Sequence, residues 1–182
     1  YGPSGTGKTL AAKVIAWEIG EVFYILNPRD FISKWSNESL VNLEKIFQSL
    51  QTPCIVFIDE IDAILGKRSG VNNAWDDIKI INAFLQYMDG FRSKNDILFI
   101  WATNRIDAID EAILRAGRFD TKILVDYPDE IWRKEIWTMY IKKSNLKSKK
   151  WDIFDNNIDY TRISDMSDRF TGADIAEVIR RI

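Results

Sequence analysis

The stretch "GPSGTGKT", residues 2–9, decides the fold class of this 182-residue chain. Its glycines allow a tight turn whose N–H groups point at one centre, and the helix that follows would add its positive N-terminus. Lys8 would reach the β and γ phosphates of a nucleotide, and the Thr9 hydroxyl would ligate Mg²⁺. The pattern predicts a phosphate-binding loop, and the alternative is a glycine-rich turn that caps a helix. The predicted nucleotide contacts are Gly2, Pro3, Gly5, Thr6, Gly7, Lys8, Thr9 and Leu10.

Apolar and amphipathic stretches alternate downstream of this loop, which is typical of a mostly parallel sheet covered by helices. The apolar runs are continuous rather than alternating, and this predicts strands buried on both faces. Helices are predicted between them, with Asn37 as a candidate N-cap of the second. The predicted strands are 22–26, 54–58, 97–102 and 122–126, and the predicted helices lie near 8–19, 38–50 and 75–89.

The strand pattern ends near Pro128. Beyond it, apolar residues at helical spacing predict a helix around 131–140, and another helix is predicted after Thr171. We expect an α/β P-loop fold, a three-layer parallel sheet with helices on both faces, followed by a small all-helical lid. The expected domains are residues 1–127 and 128–182. We expect the chain to be a piece of a longer protein, with the first strand and the end of the lid missing.

Composition narrows the classes of function. With 25 basic and 27 acidic residues, the net charge of −2 argues against a broad nucleic-acid-binding surface. The chain contains no histidine, which excludes a histidine-based metal site, and its single cysteine, Cys54, cannot form an internal disulfide. No apolar run is long enough to span a bilayer. These features predict a cytoplasmic location, and tethering to a membrane by flanking segments is left open.

Two carboxylates follow the strand predicted at 54–58. Because ligands of α/β sheets bind at the carboxyl ends of strands, Asp59 is a candidate Mg²⁺ ligand together with Thr9. Glu60, one residue further, is a candidate general base that polarises the attacking water. The alternative is that both are ordinary acidic residues of a solvated loop. Asp62 is interpreted as structural, an acid at a helix start.

The segment "ILFIWATNRIDAIDEAILRAGRFD", residues 97–120, carries the remaining candidate residues. Asn104 follows the third predicted strand, and its amide is expected beside the γ phosphate, where it would orient the water. Arg115 and Arg118 lie three residues apart on one turn, and paired planar cations suit a triphosphate. They come after the end of the strand, so we expect them to act in trans on a neighbouring chain's nucleotide. The alternative is a solvated arginine pair at a helix end.

These motifs, in this order, resemble those of the AAA ATPase family, the ring-forming remodelling ATPases. The resemblance runs from Tyr1 to Ile182. It implies that Asn104 is the family's first sensor and that Arg115 and Arg118 are arginine fingers.

The same resemblance extends to residues outside the phosphate and carboxylate motifs. "TGADI", residues 171–175, resembles the stretch in which Gly172 and Ala173 pack beside the adenosine. By the same resemblance, Ile136 would pack near the base.

The resemblance also gives a meaning to "KW" at 34–35. In the family, the segment after the second strand is a loop that faces the central pore of a hexamer. Lys34 and Trp35 look like the pore-loop pair, with Trp35 gripping substrate polypeptide through contacts that need no specific partner. The alternative is a hydrophobic anchor at the start of the helix near 38–50.

Several positions depart from the family's pattern, including "IDEA" at 109–112, where the family has "LDPA". Ser4 stands where the phosphate loop has a second proline, and Asn37 where the pore loop has glycine. Ala116 replaces the proline between the two arginines, and Ile78 and Lys79 replace adjacent arginines of the subunit interface. The last two changes bear on the coupling between neighbouring subunits rather than on ATP binding.

The resemblance implies an ATPase that uses ATP and Mg²⁺ to remodel, unfold or translocate protein substrates as a homo-hexamer. One alternative is a nucleotide-regulated assembly or adaptor module with little turnover. Another is a nucleic-acid-handling P-loop ATPase, for which the basic stretch "KSNLKSKKW" at 143–151 is the only signal, and nucleic acid is not expected as a partner. The identity of the substrate cannot be read from these residues.

Overall fold

In the computed structural model the chain divides into two compact units. The first contains residue 1 and residues 8–124, and the second contains residues 2–7 and 125–182. The structure describes residues 1–27, 36–62, 82–88, 97–109, 114, 119, 121–147, 153–155 and 157–181.

The first unit is built on three parallel strands in the order β1-β2-β3. Val22 of β1 pairs with Cys54 of β2, which pairs with Ile97 of β3. Parallel strands need crossover connections, and α2 lies in the connection between β1 and β2. The elements are α1 (Lys8–Ile19), β1 (Val22–Leu26), α2 (Ser36–Ser49), β2 (Cys54–Ile58), β3 (Ile97–Trp101) and a 3-10 turn (Ile106–Ala108), and residues 82–88 are helical as well.

The central strand β2 is buried along its whole length, and its side chains alternate between two apolar clusters. Val56 packs with Leu43 and Phe47 of α2 on one face, while Phe57 packs with Ala12 of α1 on the other. Successive side chains of a strand point to opposite faces. The predicted arrangement, a parallel sheet with helices on both faces, is therefore confirmed.

Two strand predictions and one capping prediction need correction. Residues 122–126 do not form a strand: the Ile123 carbonyl accepts a 2.8 Å hydrogen bond from the amino group of Tyr1, but this segment pairs with no strand of the sheet among the described residues. Complete burial holds for β2 alone, because β1 and β3 are the outer strands of the described sheet. Asn37 lies inside α2 rather than before it. Of the helix predicted at 75–89, residues 82–88 are described and are helical.

The second unit carries three helices, α3 (Glu130–Lys147), α4 (Tyr160–Met166) and α5 (Gly172–Arg181). Trp137 and Ile141 of α3 form an apolar core with Ile175 of α5. The predicted helices around 131–140 and after Thr171 are confirmed. The placement of the domain boundary at residue 127 stays a prediction. Within the described ranges, no helix is long and apolar enough to cross a membrane.

The short helix α4 was not predicted. Its N-cap, Asp159, accepts hydrogen bonds from the backbone N–H groups of Thr161 (3.1 Å) and Arg162 (3.0 Å). The buried Arg133 of α3 ties α4 in place, because its guanidinium donates to the Ser164 carbonyl at 3.2 Å. An aspartate before a seven-residue helix is a weak signal without its tertiary partner.

Candidate functional site

The glycine loop at residues 2–7 has a backbone that side chains would disturb. Gly2 and Gly5 have φ values of 149° and 77°, a region that residues with a side chain rarely adopt. A Cβ at Gly2 would overlap the carbonyl oxygen of Val125, and a Cβ at Gly5 would lie 2.6 Å from the Thr171 hydroxyl. The glycines are therefore required by close contacts inside the second unit as well as by the turn.

The start of α5 holds this loop. The Ala173 N–H donates to the Gly5 carbonyl at 3.3 Å, and a Cβ at Gly172 would meet the same oxygen at 3.6 Å. Gly172 and Ala173, predicted from the sequence to belong to the nucleotide site, thus lie directly against the phosphate loop. A helix N-terminus here brings to the loop its positive dipole end and the first-turn N–H groups, which have no carbonyl partner within the helix.

A capping box fixes the position of that helix end. Thr171 precedes α5, and its N–H donates to the Asp174 carboxylate at 2.8 Å, while the Asp174 N–H donates back to the Thr171 hydroxyl at 3.3 Å. Aspartate takes the place of the usual glutamate. The hydrogen bond from the Thr171 backbone, followed by that from its hydroxyl, lowers the pKa of Asp174 from its ordinary value.

In the first unit, α1 and β2 bring together the two predicted magnesium ligands. The Thr9 hydroxyl donates to Oδ2 of Asp59 at 2.8 Å. Hydroxyl and carboxylate oxygens are the hard ligands that Mg²⁺ prefers, so this pair fits the ion that was predicted here. Burial lowers the pKa of the neighbouring Lys8 ammonium, and the charge of Asp59 opposes that shift.

Glu60 follows Asp59 with an unusual backbone. Its φ is +51°, in the left-handed region that non-glycine residues seldom occupy, and its side chain is exposed. The Glu60 N–H donates to Oδ1 of Asp59 at 2.9 Å, which stabilises the turn. Strained conformations of this kind cluster at functional sites.

Asn104 lies at the same edge of the sheet as the two carboxylates. The Ala102 N–H donates to the Ile58 carbonyl at 2.9 Å, so the loops that leave β2 and β3 start side by side. Asn104 is exposed, whereas Thr103 before it is buried and donates its hydroxyl hydrogen to Asp62 at 2.7 Å. Thr103 was not among the predicted site residues, and its local sequence signal is a hydroxyl directly before the candidate sensor.

Three further predicted site residues lie within the part of the chain that the structure describes. Ile136 packs against the core of the second unit, and Leu10 is 64% exposed on the first turn of α1. The Thr6 hydroxyl donates to the Pro3 carbonyl at 2.9 Å and closes the loop on itself. The predictions for Lys34, Trp35, Ile78, Lys79, Arg115 and Arg118 lie outside the described residues.

A parallel sheet with a glycine loop before α1 and carboxylates after β2 defines the class of P-loop nucleotide hydrolases. Comparison with known families narrows this class. The profile of the ATPase family associated with various cellular activities (AAA) matches residues 1–127. The chain belongs to the AAA family. It is an ATPase module, and its cofactors are ATP and Mg²⁺.

Curated relatives agree with this assignment. The chain is 38% identical over 182 residues to the ATP-dependent zinc metalloprotease FtsH of Parabacteroides distasonis, covering 97% of the chain and 25% of that protein. It is 37% identical to FtsH 3 of Phytoplasma mali (98% and 29%) and to Protein SAV of Sulfolobus acidocaldarius (99% and 22%). The chain therefore spans less than a third of the length of these relatives.

Proposed function

We propose that this chain hydrolyses Mg·ATP at the Lys8–Thr9–Asp59–Glu60 site and uses the energy to remodel, unfold or translocate protein substrates within a homo-hexameric ring. The observation that carries the proposal is the 2.8 Å hydrogen bond between the Thr9 hydroxyl and Asp59. It joins the end of the phosphate loop to the end of β2, the two places from which magnesium ligands of such enzymes come.

Each residue has a distinct role in the proposed reaction. The N–H groups of the glycine loop and the Lys8 ammonium bind the phosphate oxygens, and Thr9 and Asp59 would hold Mg²⁺, which would supply positive charge to the phosphates. Glu60 accepts the proton of the attacking water, and Asn104 orients that water. Arg115 and Arg118 of a neighbouring chain stabilise the charge of the transition state.

The remaining nucleotide contacts are assigned from the phosphate-loop pattern and the family resemblance. We assign Gly172 and Ala173 to the adenosine, Ile136 to the base, and Gly2, Pro3, Gly5, Thr6, Gly7 and Leu10 to the loop contacts. Support comes from the hydrogen bond between Ala173 and Gly5. Through it, the start of α5 is bound directly to the loop. A domain division at residue 127 is part of this proposal.

Work on a protein substrate is assigned to Lys34 and Trp35 as a pore-loop pair. Among the relatives, FtsH is named as an ATP-dependent metalloprotease, an enzyme class that acts on proteins, and this favours a protein over a nucleic acid as the substrate. A net charge of −2 points the same way. A cytoplasmic location of this module is proposed with it.

The deciding experiment is ATP turnover per chain, measured with the full-length protein across a wide range of concentration. Wild type is compared with Glu60→Gln and Arg118→Ala, and Glu18→Gln on the exposed surface of α1 is the matched control. We expect specific activity to rise with concentration, Glu60→Gln and Arg118→Ala to lose turnover by about 10²-fold or more, and Glu18→Gln to match wild type.

Other outcomes identify other functions. ATP binding without turnover in the wild type would favour the regulatory or adaptor module. Turnover that is independent of concentration and of Arg118 would contradict the shared site. A Trp35→Ala variant that hydrolyses ATP and still processes substrate would show that Trp35 is a packing residue.

A further inference from the structure

Glu60 and Asn104, the base and the sensor of the proposed reaction, are both exposed, and neither is held by contacts of its own side chain among the interactions described above. We propose that Asp62 and Thr103 are the positioning residues that hold these two groups in register. The proposal rests on the proposed function and adds two residues to it. It concerns the first unit alone.

The two loops are connected by backbone hydrogen bonds as they leave the sheet. The Ala102 N–H donates to the Ile58 carbonyl at 2.9 Å, and the Ile61 N–H donates to the Ala102 carbonyl at 3.1 Å. The two bonds involve Ile58 and Ile61, so they fix the backbone before and after Glu60. They stop at Ala102, two residues before Asn104, so they do not fix the sensor.

The Thr103 side chain continues the connection past that point. Its hydroxyl donates to Oδ1 of Asp62 at 2.7 Å and accepts the Arg105 N–H at 2.9 Å. A hydroxyl has one donor and two acceptor positions, and the donor and one acceptor are used here. The Thr103 hydroxyl and the Arg105 N–H lie on either side of Asn104, so this hydrogen bond fixes the backbone around the sensor. Through its bond to Asp62, the same hydroxyl connects this backbone to the segment that follows β2 and contains Glu60.

Burial makes this connection stiff. Thr103 is 5% exposed, and Ile61, between Glu60 and Asp62, is 1% exposed. A hydrogen bond to a carboxylate is shorter and stronger than one between neutral groups, and it is stronger still where water is excluded. The exposed side chains of Glu60 and Asn104 are thus adjacent in sequence to the buried residues Ile61 and Thr103. The hydrogen bond between Thr103 and Asp62 is the side-chain contact that connects these two segments.

The link predicts a specific kinetic defect. Lys8, Thr9 and Asp59 do not depend on Thr103 for any hydrogen bond described above, so ATP affinity should survive its loss. The positions of Glu60 and Asn104 relative to each other should change when the Thr103 hydroxyl is lost. A displacement of about 1 Å at a reacting group costs up to about 10²-fold in rate. The defect should therefore appear in kcat and spare binding.

The test uses two matched pairs of variants in the full-length protein. Thr103→Val removes the hydroxyl at constant size, and Thr103→Ser keeps it. Asp62→Ala removes the acceptor, and Asp62→Asn keeps an acceptor oxygen without the charge. We expect Thr103→Val and Asp62→Ala to lower kcat about 10- to 100-fold with the Kd for ATP within about threefold of wild type. Thr103→Ser and Asp62→Asn should recover kcat to within about fivefold.

A double variant separates positioning from general destabilisation. If Thr103 acts through Asn104, Thr103→Val combined with Asn104→Ala should have the kcat of Asn104→Ala alone. Independent, multiplicative losses would overturn the proposal, as would equal kcat values in Thr103→Val and Thr103→Ser, or a parallel loss of kcat and ATP affinity. Should Thr103→Val fail to fold, the comparison of Asp62→Ala with Asp62→Asn decides in the same way.

Glu60→Gln, measured alongside, distinguishes the two levels of the proposal. Turnover retained in Glu60→Gln contradicts the proposed catalytic site, and the positioning role is overturned with it. Turnover lost in Glu60→Gln but normal in Thr103→Val contradicts the positioning role alone.

Discussion

Two regions of this chain, each assigned to the nucleotide only in the proposed function, are positioned by different means. The strand edge, with Asp59, Glu60 and Asn104, is positioned by a parallel ladder and by buried neighbours. The loop clamp, which we define as Gly5, Thr171 and residues 172–174, is positioned by one helix end and its capping box. A parallel ladder is stabilised by many backbone hydrogen bonds, whereas this capping box depends on the ionised state of one carboxylate, Asp174. The strand edge should therefore tolerate changes of solution conditions better than the loop clamp.

The largest effect is expected at the strand edge, from Thr9→Val. It removes the predicted metal ligand and the donor to Asp59, and we expect kcat/KM for ATP to fall on the order of 100-fold. Thr9→Ser keeps the hydroxyl and should stay within a few-fold of wild type. The measurement is steady-state ATP turnover over a range of Mg²⁺ concentration. Equal activity of the two variants would contradict the assignment of Thr9.

The next effect is expected at the loop clamp, from Gly5→Ala. The added methyl group would lie 2.6 Å from the Thr171 hydroxyl and 2.8 Å from the Ala173 Cβ, so the loop or the start of α5 must shift. We expect ATP affinity, measured by calorimetry, to fall about tenfold, which corresponds to about 1.4 kcal/mol.

Gly20→Ala is the matched control for this change. Gly20 has a similar φ of 80°, but nothing lies within 4 Å of a Cβ built there. The variant should lose about 1–2 kcal/mol of stability through the backbone alone and keep wild-type affinity. If Gly20→Ala reduced affinity as much as Gly5→Ala, the contact with α5 would have no special role.

A smaller effect is expected at Asp174 of the loop clamp, and it depends on pH. Because hydrogen bonds from Thr171 lower the pKa of Asp174 in the folded state, this carboxylate stabilises the protein above its ordinary pKa of 3.8. The contribution is lost as the pH falls below that value and through the lower folded-state pKa. Asp174→Asn should thus unfold at a lower temperature than wild type near pH 7, and the difference should shrink below pH 3.8. Asp165→Asn, on the surface of α4, is the control. A difference that is constant with pH would contradict the capping role.

The smallest effect is expected at the exposed end of α5. Glu177 accepts hydrogen bonds from Arg181 and Arg180, which lower the pKa of its carboxyl. Exposed ion pairs contribute little and are screened by salt. Glu177→Gln should lower Tm slightly at low ionic strength and not at high ionic strength. A large loss of stability at high salt would show that Glu177 has a structural role beyond these pairs.

The two regions also differ in how far they could be predicted from the sequence. The glycine loop, Thr9 and Asp59 were predicted because each is part of a short pattern with its own chemistry. The Thr103–Asp62 bond was missed because it joins residues 41 positions apart, and no local pattern contains both. In the same way, 122–126 has the composition of a strand, but a strand exists only with a paired neighbour.

At the loop clamp, the sequence contained a capping-box pattern that was not predicted as such. "TGAD" at 171–174 has the spacing of a capping box, with Thr171 and Asp174 three residues apart. The family resemblance placed Gly172 and Ala173 beside the adenosine, but the contact of this helix start with Gly5 was not predicted, since nothing local to either segment indicates a pairing across more than 160 residues. Arg115, Arg118 and Trp35 remain predictions.

The left-handed backbone of Glu60 has a consequence for the evolution of this module. A glycine at position 60 would adopt the observed φ of +51° without steric penalty, so replacing the glutamate should relieve strain on the order of 1 kcal/mol. Selection for thermal stability alone would therefore favour glycine there, at the expense of the proposed base. In a library selected only for thermal stability, we expect Glu60 to be among the first residues replaced. We expect the most stable variants to have lost ATP turnover.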